Sequence, residues 1–220
     1  NSDTSASTDT AVKGTEVGPL AIRPKVSIGG KHMVVLTTKG EVWVVGLNSW
    51  GQCLHKAATG PDVSAGGFAS MVPTPFKTGL AQVADIQAGE DVTYVLKEDG
   101  SLRAVGNNNG GLLGHPMGAE GDTITYDKDY YNQTLSAVPG LPDILVPTRG
   151  PIALDGDSRV WSWSCTDAAC TFSTTEPVVG IQSLTRHGYF LTKEGHLGIA
   201  KKAKIQTSAD FGTFVDLQSY

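Results

Sequence analysis

The chain has 220 residues with a formal net charge of −5 and a pI near 5.5, a balance that disfavours non-specific binding to nucleic acid or to anionic membrane surfaces. Hydrophobic residues make up 40% and charged residues 18%, while 27 Gly and 11 Pro give a turn-rich profile that excludes a helical bundle or coiled coil. No apolar run approaches the length of a membrane span. In chain order, Asn1–Thr10 carries no large apolar side chain and, with the rest of residues 1–17, is expected to be a flexible tether outside the core. Such a Ser/Thr/Asp leader suits the stretch that follows a processed lipoprotein cysteine or a cleaved secretion signal, and an arbitrary chain boundary looks the same. The expected location is extracellular, at a cell surface or periplasmic, with cytoplasm as the weaker reading.

Self-similarity organises residues 18–220. Four copies share an apolar start, a leucine ten residues later and a turn four residues beyond that: Val26, Leu36, Gly40; Ile86, Leu96, Gly100; Ile144, Leu154, Ser158; Ile181, Leu191, Gly195. A fifth start appears at Phe214-Val-Asp-Leu-Gln-Ser-Tyr220, echoing Val83-Ala-Asp-Ile-Gln87. Repeat boundaries near 26–82, 83–140, 141–177, 178–213 and a partial 214–220 follow. In each copy the turn, Lys39-Gly40 or Asp99-Gly100 for example, separates two strand-like segments, as in a β-hairpin. Copies one and two end in a glycine-asparagine tail, Gly46-Leu-Asn-Ser-Trp-Gly-Gln52 and Gly106-Asn-Asn-Asn-Gly110, which the later copies lack. An all-β fold of radially packed blades is the usual solution for such repeats.

These residues, together with Gly29-Gly-Lys-His32 and Gly40-Glu-Val-Trp43, resemble the repeat of the regulator-of-chromosome-condensation (RCC1) proteins. The resemblance covers residues 18–220, is specific in the first two copies and weaker in the last two, and implies an RCC1-like β-propeller or partial propeller. It also implies that Val72-Pro-Thr-Pro-Phe76 is a linker between repeats and that Trp43 is a core residue. Propellers of that family typically close with seven blades, more than four copies and a fragment supply. Three readings stand: part of a longer protein, a smaller or irregular ring, or completion by another chain or a homo-oligomer. Gly18–Pro24 is the candidate start of a blade that a C-terminal strand would join.

The inserted loops are the candidate binding surface. His115–Thr134 gathers acidic and aromatic residues, and Tyr126, Asp127, Tyr130, Tyr131 and Asn132, with Trp50 of the first glycine-rich tail, are the candidate partner contacts. A solvated loop whose tyrosines pack on their own scaffold is the competing reading. No regular calcium-loop spacing is present. Asn132-Gln-Thr134 is also a glycosylation acceptor pattern. On the strand Val160-Trp-Ser-Trp163, alternation allows only one tryptophan to face a neighbouring blade.

Cys165 and Cys170 bracket a four-residue turn, a spacing that suits either a small disulfide loop in an oxidising compartment or two reduced thiols. Cys53 reads as a buried small residue and His32 as a structural hydrogen-bonding group. The five histidines are scattered without metal-ligand spacing, and nucleophile-elbow and phosphate-loop motifs are missing. The expectation is therefore no catalysis, no metal and no cofactor. The preferred function is a non-catalytic binding module for a protein or a cell-surface glycan, acting in attachment or assembly at a bacterial surface. The alternatives are a nucleotide-exchange regulator of a small GTPase, which the resemblance suggests, and a proteinaceous inhibitor of a secreted enzyme.

Overall fold

The computed structural model describes residues 18–54, 71–119, 123–124, 130–184, 187–201 and 203–207. The described secondary structure is entirely strand and turn, arranged as consecutive antiparallel sheets. Blade 1 holds β1 (Lys25–Ile28), β2 (His32–Leu36), β3 (Val42–Leu47) and β4 (Met71–Lys77) in that spatial order. Blade 2 holds β5 (Val83–Ala88), β6 (Val92–Lys97), β7 (Leu102–Asn107), β8 (Thr123–Ile124) and β9 (Tyr130–Ala137), with β9 beside β7 and β8 at the edge. Blade 3 contains β10 (Ile144–Pro147), β11 (Ile152–Asp155), β12 (Val160–Cys165) and β13 (Cys170–Thr174). Blade 4 contains β14 (Val178–Leu184), β15 (His187–Thr192), β16 (Leu197–Lys201) and β17 (Lys204–Thr207).

The repeat offsets reappear as register. Leu36 lies opposite Val42, Leu96 opposite Leu102, Leu154 opposite Val160 and Leu191 opposite Leu197, so each copy contributes the same central hairpin. The turn residue adopts a left-handed backbone in all four: φ is +75° at Gly40, +82° at Gly100, +64° at Ser158 and +84° at Gly195. Each donates its N–H back three residues, to the carbonyls of Thr37, Lys97, Asp155 and Thr192. The third copy makes the same turn without glycine.

Alternation along the strands divides every blade into two faces. The forward face of blade 1, Val34, Leu36, Val42 and Val44, is buried against Ile86, Ala88 and Val95 on the backward face of blade 2. Tyr94, Leu96, Leu102 and Ala104 then pack on Ile144, Ala153 and Trp163 of blade 3, with the Tyr94 and Trp163 rings edge to face at 6.0 Å. Ile152 and Val160 in turn meet Phe190 and Ala200 of blade 4. Side-chain volumes compensate within a cluster: small Ala153 shares one core with Trp163, and small Ala200 another with Phe190, which keeps the space between sheets filled.

Two sequence expectations are corrected. Val72-Pro-Thr-Pro-Phe76 is not a linker but lies within β4, the outer edge strand of its blade, where Pro73 and Pro75 are tolerated. Gly18–Pro24 begins no strand; it is a strap across blade 2, with Leu20 N–H bonded to the Glu98 carbonyl and Arg23 N–H to the Ala84 carbonyl. Leu20 packs against the core between blades 2 and 3, and Ile22 against the core between blades 1 and 2. Buried Asp85 anchors the strap, accepting from Lys25 Nζ at 2.6 Å and from the Ile86 amide at 2.7 Å, with Arg23 at 3.6 Å. The tether and Phe214–Tyr220 lie outside the described residues.

Candidate functional site

The arc has two ends with different chemistry. At the turn end lie Lys39-Gly40, Asp99-Gly100, Gly156 and Gly195 with the strap. At the loop end lie the β1–β2 and β5–β6 turns and the connections that follow β3, β7 and β12.

At the loop end, the glycine-asparagine tails form matching clasps. Asn48 Oδ1 accepts the Cys53 N–H at 2.8 Å and Asn108 Oδ1 accepts the Leu113 N–H at 3.0 Å, while their backbone carbonyls take the N–H groups of Gly51 and Gly111. Both asparagines are completely buried. Each clasp then reaches the following blade. The Gln52 carbonyl accepts the Thr93 hydroxyl at 2.7 Å; the Leu112 carbonyl accepts Tyr94 OH at 2.9 Å and Trp163 Nε1–H at 3.3 Å.

His32 belongs to the first clasp and joins two blades rather than bonding within one. Its Nε2 lies 2.9 Å from Thr93 Oγ1. Because the Thr93 proton goes to the Gln52 carbonyl, Nε2 must carry the imidazole proton, leaving Nδ1 unprotonated. Burial pushes the His32 pKa down to about 4, since a second proton would place a cation where Nδ1 has no hydrogen-bonding partner among the described residues. Gly29 permits this packing: a Cβ there would stand 2.2 Å from the Gly89 carbonyl oxygen and 2.7 Å from His32 Nδ1. Cys53, fully buried, is pushed up to about 12 by burial and donates to the Leu47 carbonyl at 3.3 Å. It is therefore a protonated packing group and not a nucleophile.

The candidate contact residues fall as follows. Trp50 is half-buried at the tip of the first clasp, its N–H bonded to Gln52 Oε1 at 2.9 Å. Tyr130, Tyr131 and Asn132 lie in β9, where Tyr131 pairs with Asn107 and with Thr123, and Asn132 with Gly106. Part of the insertion is thus a hairpin added to the outer edge of blade 2 at the loop end, rather than a plain loop. Tyr126 and Asp127 lie outside the described residues. Cys165 and Cys170 form a disulfide across the β12–β13 hairpin. It abuts the second clasp, with the Gly114 carbonyl 3.4 Å from Cys170 Sγ. Trp163 is buried in the junction and Trp161 half-buried, its Nε1–H bonded to Asp155 at 2.8 Å.

Sequence reasoning missed a cleft of about 490 Å³ at the turn end, between blades 2 and 3 and beneath the strap, lined among others by Leu20, Lys97, Asp99 and Asp143. Burial, reinforced by Arg103, holds the Lys97 ammonium below its ordinary pKa, while the Ser101 hydroxyl and amide hold Asp99 below the usual carboxylate range. Its lining comes from separate segments, so no local motif marks it. Among the described residues no cluster of three or more His, Cys, Asp or Glu is placed to hold a metal ion.

Residues 25–52, from β1 to the first clasp, match the family model of the Regulator of chromosome condensation (RCC1) repeat. The Schizosaccharomyces pombe protein pim1 is 29% identical over 163 residues, which is 69% of this chain and 29% of pim1. Yeast RCC1 (Prp20), solved bound to Kap60, superposes with a TM-score of 0.57 at 15% identity, over 84% of this chain and 45% of that one. Saccharomyces cerevisiae Prp20p, described with its binding to Gsp1p and histones, gives 0.58 at 16% identity over 80% and 44%. Human WBSCR16 gives 0.58 at 18% identity over 86% and 53%. The chain thus matches an RCC1 repeat over residues 25–52 and has the fold of RCC1 propellers; it spans under a third of pim1 and about half of the solved chains.

Proposed function

We propose that this chain is a non-catalytic protein-recognition module whose working surface is the loop end, where Trp50 and the added β8–β9 hairpin extend rigid blades. The observation that carries this reading is that hairpin: it lengthens blade 2 at the loop end, and extra elements on a repeat scaffold are where binding specificity resides. The fold-level neighbours support a protein ligand over a glycan, since yeast RCC1 was solved with Kap60 and Prp20p binds Gsp1p and histones. Burial of His32 and Cys53 supports a role without covalent chemistry. The disulfide supports an exported setting, and with it the finer reading of attachment at a bacterial surface, because such bonds persist in oxidising compartments.

The test is to immobilise the 220-residue chain and screen protein and glycan panels, comparing the wild type with Trp50→Ala and Tyr131→Ala at the loop end and Lys39→Ala at the turn end. Protein ligands lost in the first two and retained in the third are expected. Glycan ligands alone, or binding lost only at the turn end, would overturn the reading. A second reading, regulation of a small GTPase, is favoured by the likeness to Prp20p, which binds Gsp1p. Release of a fluorescent nucleotide from such a GTPase on addition of this chain would select it.

A further inference from the structure

The turn end carries a preformed cleft that the loop-end reading does not use. The Asp99-Gly100 turn of blade 2 forms one wall, the start of β10 and Gly156 of the blade 3 turn form the other, and Pro19 and Leu20 of the strap lie over them. Backbone hydrogen bonds fix walls and roof: Ile144 N–H to the Gly100 carbonyl at 2.9 Å, Glu98 N–H to the Gln82 carbonyl at 2.9 Å, and Leu20 N–H to the Glu98 carbonyl at 2.8 Å. Gly100 lets the walls approach, since a Cβ there would stand 3.0 Å from Asp143 Cβ. A Cβ on Gly156 would meet nothing within 4 Å, so the blade 3 side stays open. The cleft therefore exists before any ligand arrives, and its volume of about 490 Å³ suits a small ligand or a short peptide segment.

Its lining joins apolar surface to excess negative charge. Leu20, Ile144 and Leu145 supply the apolar part, and Glu98, Asp99 and Asp143 set three carboxylates against the ammonium of Lys97. That ammonium donates to the Ala81 carbonyl. Asp99 Oδ1 accepts the Ser101 N–H at 2.9 Å and the Ser101 hydroxyl at 2.6 Å. Among the described residues no ion pair or hydrogen bond engages the carboxylates of Glu98 and Asp143. Two unpaired carboxylates beside apolar side chains select a cation with an apolar stem and repel phosphates and nucleotides.

We propose that this cleft takes a lysine or arginine side chain presented by a basic segment of a protein partner, with its methylene stem on Leu20, Ile144 and Leu145 and its charged head at Glu98 and Asp143. Long basic side chains bury their stems along apolar surface while the head finds a polar partner. A free amine would meet the carboxylates alone, whereas the cleft leaves room for the residues that flank the basic one. Charge favours a partner's segment over the residues that lead into Gly18, because residues 1–17 carry Asp3, Asp9 and Glu16 against Lys13 and bring the cleft's own sign. The site lies between two described blades whose shared core is closed. It includes neither Trp50 nor β9, so it stands or falls apart from the loop-end reading.

Amide NMR of the full chain, titrated with acetyl-Ala-Leu-Arg-Ala-amide and its lysine, norleucine and glutamate counterparts, reads the site directly. The arginine and lysine peptides should shift the amides of Glu98, Gly100, Ile144 and Leu145, with a Kd of about 1 mM or below. The norleucine and glutamate peptides should leave those amides in place, and free arginine should bind at least about tenfold more weakly than the arginine peptide. Asp143→Asn and Glu98→Gln should each weaken the arginine peptide about fivefold to tenfold, while the rest of the spectrum shows an intact fold. Asp167→Asn removes the same charge from the β12–β13 turn and should leave peptide binding unchanged. The proposal is overturned by the absence of shifts up to about 10 mM peptide, by an equal response to the norleucine or glutamate peptide, or by free arginine binding as well as the peptide. Full binding by both cleft variants, or an equal loss in Asp167→Asn, would overturn it as well.

Discussion

The junction between blades 1 and 2 and the junction between blades 3 and 4 obey the same packing rule and are held differently. The first buries Val34, Leu36, Val42 and Val44 against Ile86 and Val95, and adds the clasp that Asn48 closes on the Cys53 N–H and from which Gln52 and His32 bond across the blades to Thr93. The last buries fewer apolar residues among those described, around Ile152, Val160 and Phe190, and its polar contacts include the Val178 N–H to the Ser158 carbonyl at 2.8 Å, the Ala203 N–H to Ser162 Oγ at 3.3 Å and the Ser173 hydroxyl to the Ala203 carbonyl. The lesson is that a repeat protein sets local stability by what it adds to a shared hairpin. Blade 4 is therefore expected to open first, and its amides to exchange with solvent faster than those of blade 2.

The sharpest way to break the comparison is steric. Gly29→Ala places a methyl 2.2 Å from the Gly89 carbonyl, so the backbones of blades 1 and 2 must separate, and a loss of about 3 kcal/mol or more is expected in urea unfolding. Gly180→Ala in blade 4 meets nothing within 4 Å and should change stability by less than about 0.5 kcal/mol. Equal effects would show that the two junctions are not distinguished by backbone approach.

Acid separates the junctions next. His32 titrates near 4 when folded, against an ordinary 6.5, so between those values the unfolded chain binds the proton that the native chain refuses. Its contribution is complete above pH 6.5 and falls as the pH drops towards 4, by roughly 3 kcal/mol in all, and is flat below that. The check is unfolding free energy against pH for the wild type and His32→Gln; the variant should lack this slope. A wild type and variant with parallel profiles would remove His32 as the cause.

The clasp itself comes third. Asn48→Ala leaves the buried Cys53 N–H without its acceptor and should cost about 1–3 kcal/mol. Protection of blade 1 and blade 2 amides should fall together, while that of blade 4 stays as it was.

How much of this was legible in the sequence follows from what repeats. The central hairpins were visible because their register is fixed by the offset from Val26 to Leu36 to Gly40, and alternation correctly divided Trp163 from Trp161. The outer strands β4 and β9 were not, because they follow insertions of unequal length and carry no shared offset. Trp43 resembles a core position and yet is only half-buried, since its face is the backward face of blade 1, on which no other blade packs among the described residues. The loop-end candidates were partly placed: Trp50 on a clasp tip, Tyr130 to Asn132 on a strand. The clasps' cross-blade bonds and the turn-end cleft needed three dimensions, because their groups lie tens of residues apart.

The smallest effect tests whether the weaker copies depart from the pattern or merely make it with poorer residues. Ser158 holds φ +64° in a turn whose counterpart in blade 4 is Gly195 at +84°, and both donate to the carbonyl three residues back. A left-handed backbone costs a non-glycine residue about 1–2 kcal/mol, and blade 3 tolerates it because Asp155 Oδ1 accepts the N–H groups of both Asp157 and Arg159 at 2.9 Å. Ser158→Gly removes that cost and adds unfolded-chain freedom worth about 0.4–1 kcal/mol, leaving a net gain of about 0.5 kcal/mol. Gly195→Ser is the mirror change: nothing lies within 4 Å of the added Cβ, so its loss of similar size comes from the backbone alone. Opposite shifts in the thermal midpoint are expected for the two variants. If Ser158→Gly destabilised the protein, the serine would be contributing through its side chain, and the third turn would be a different device from the other three rather than the same one built without glycine.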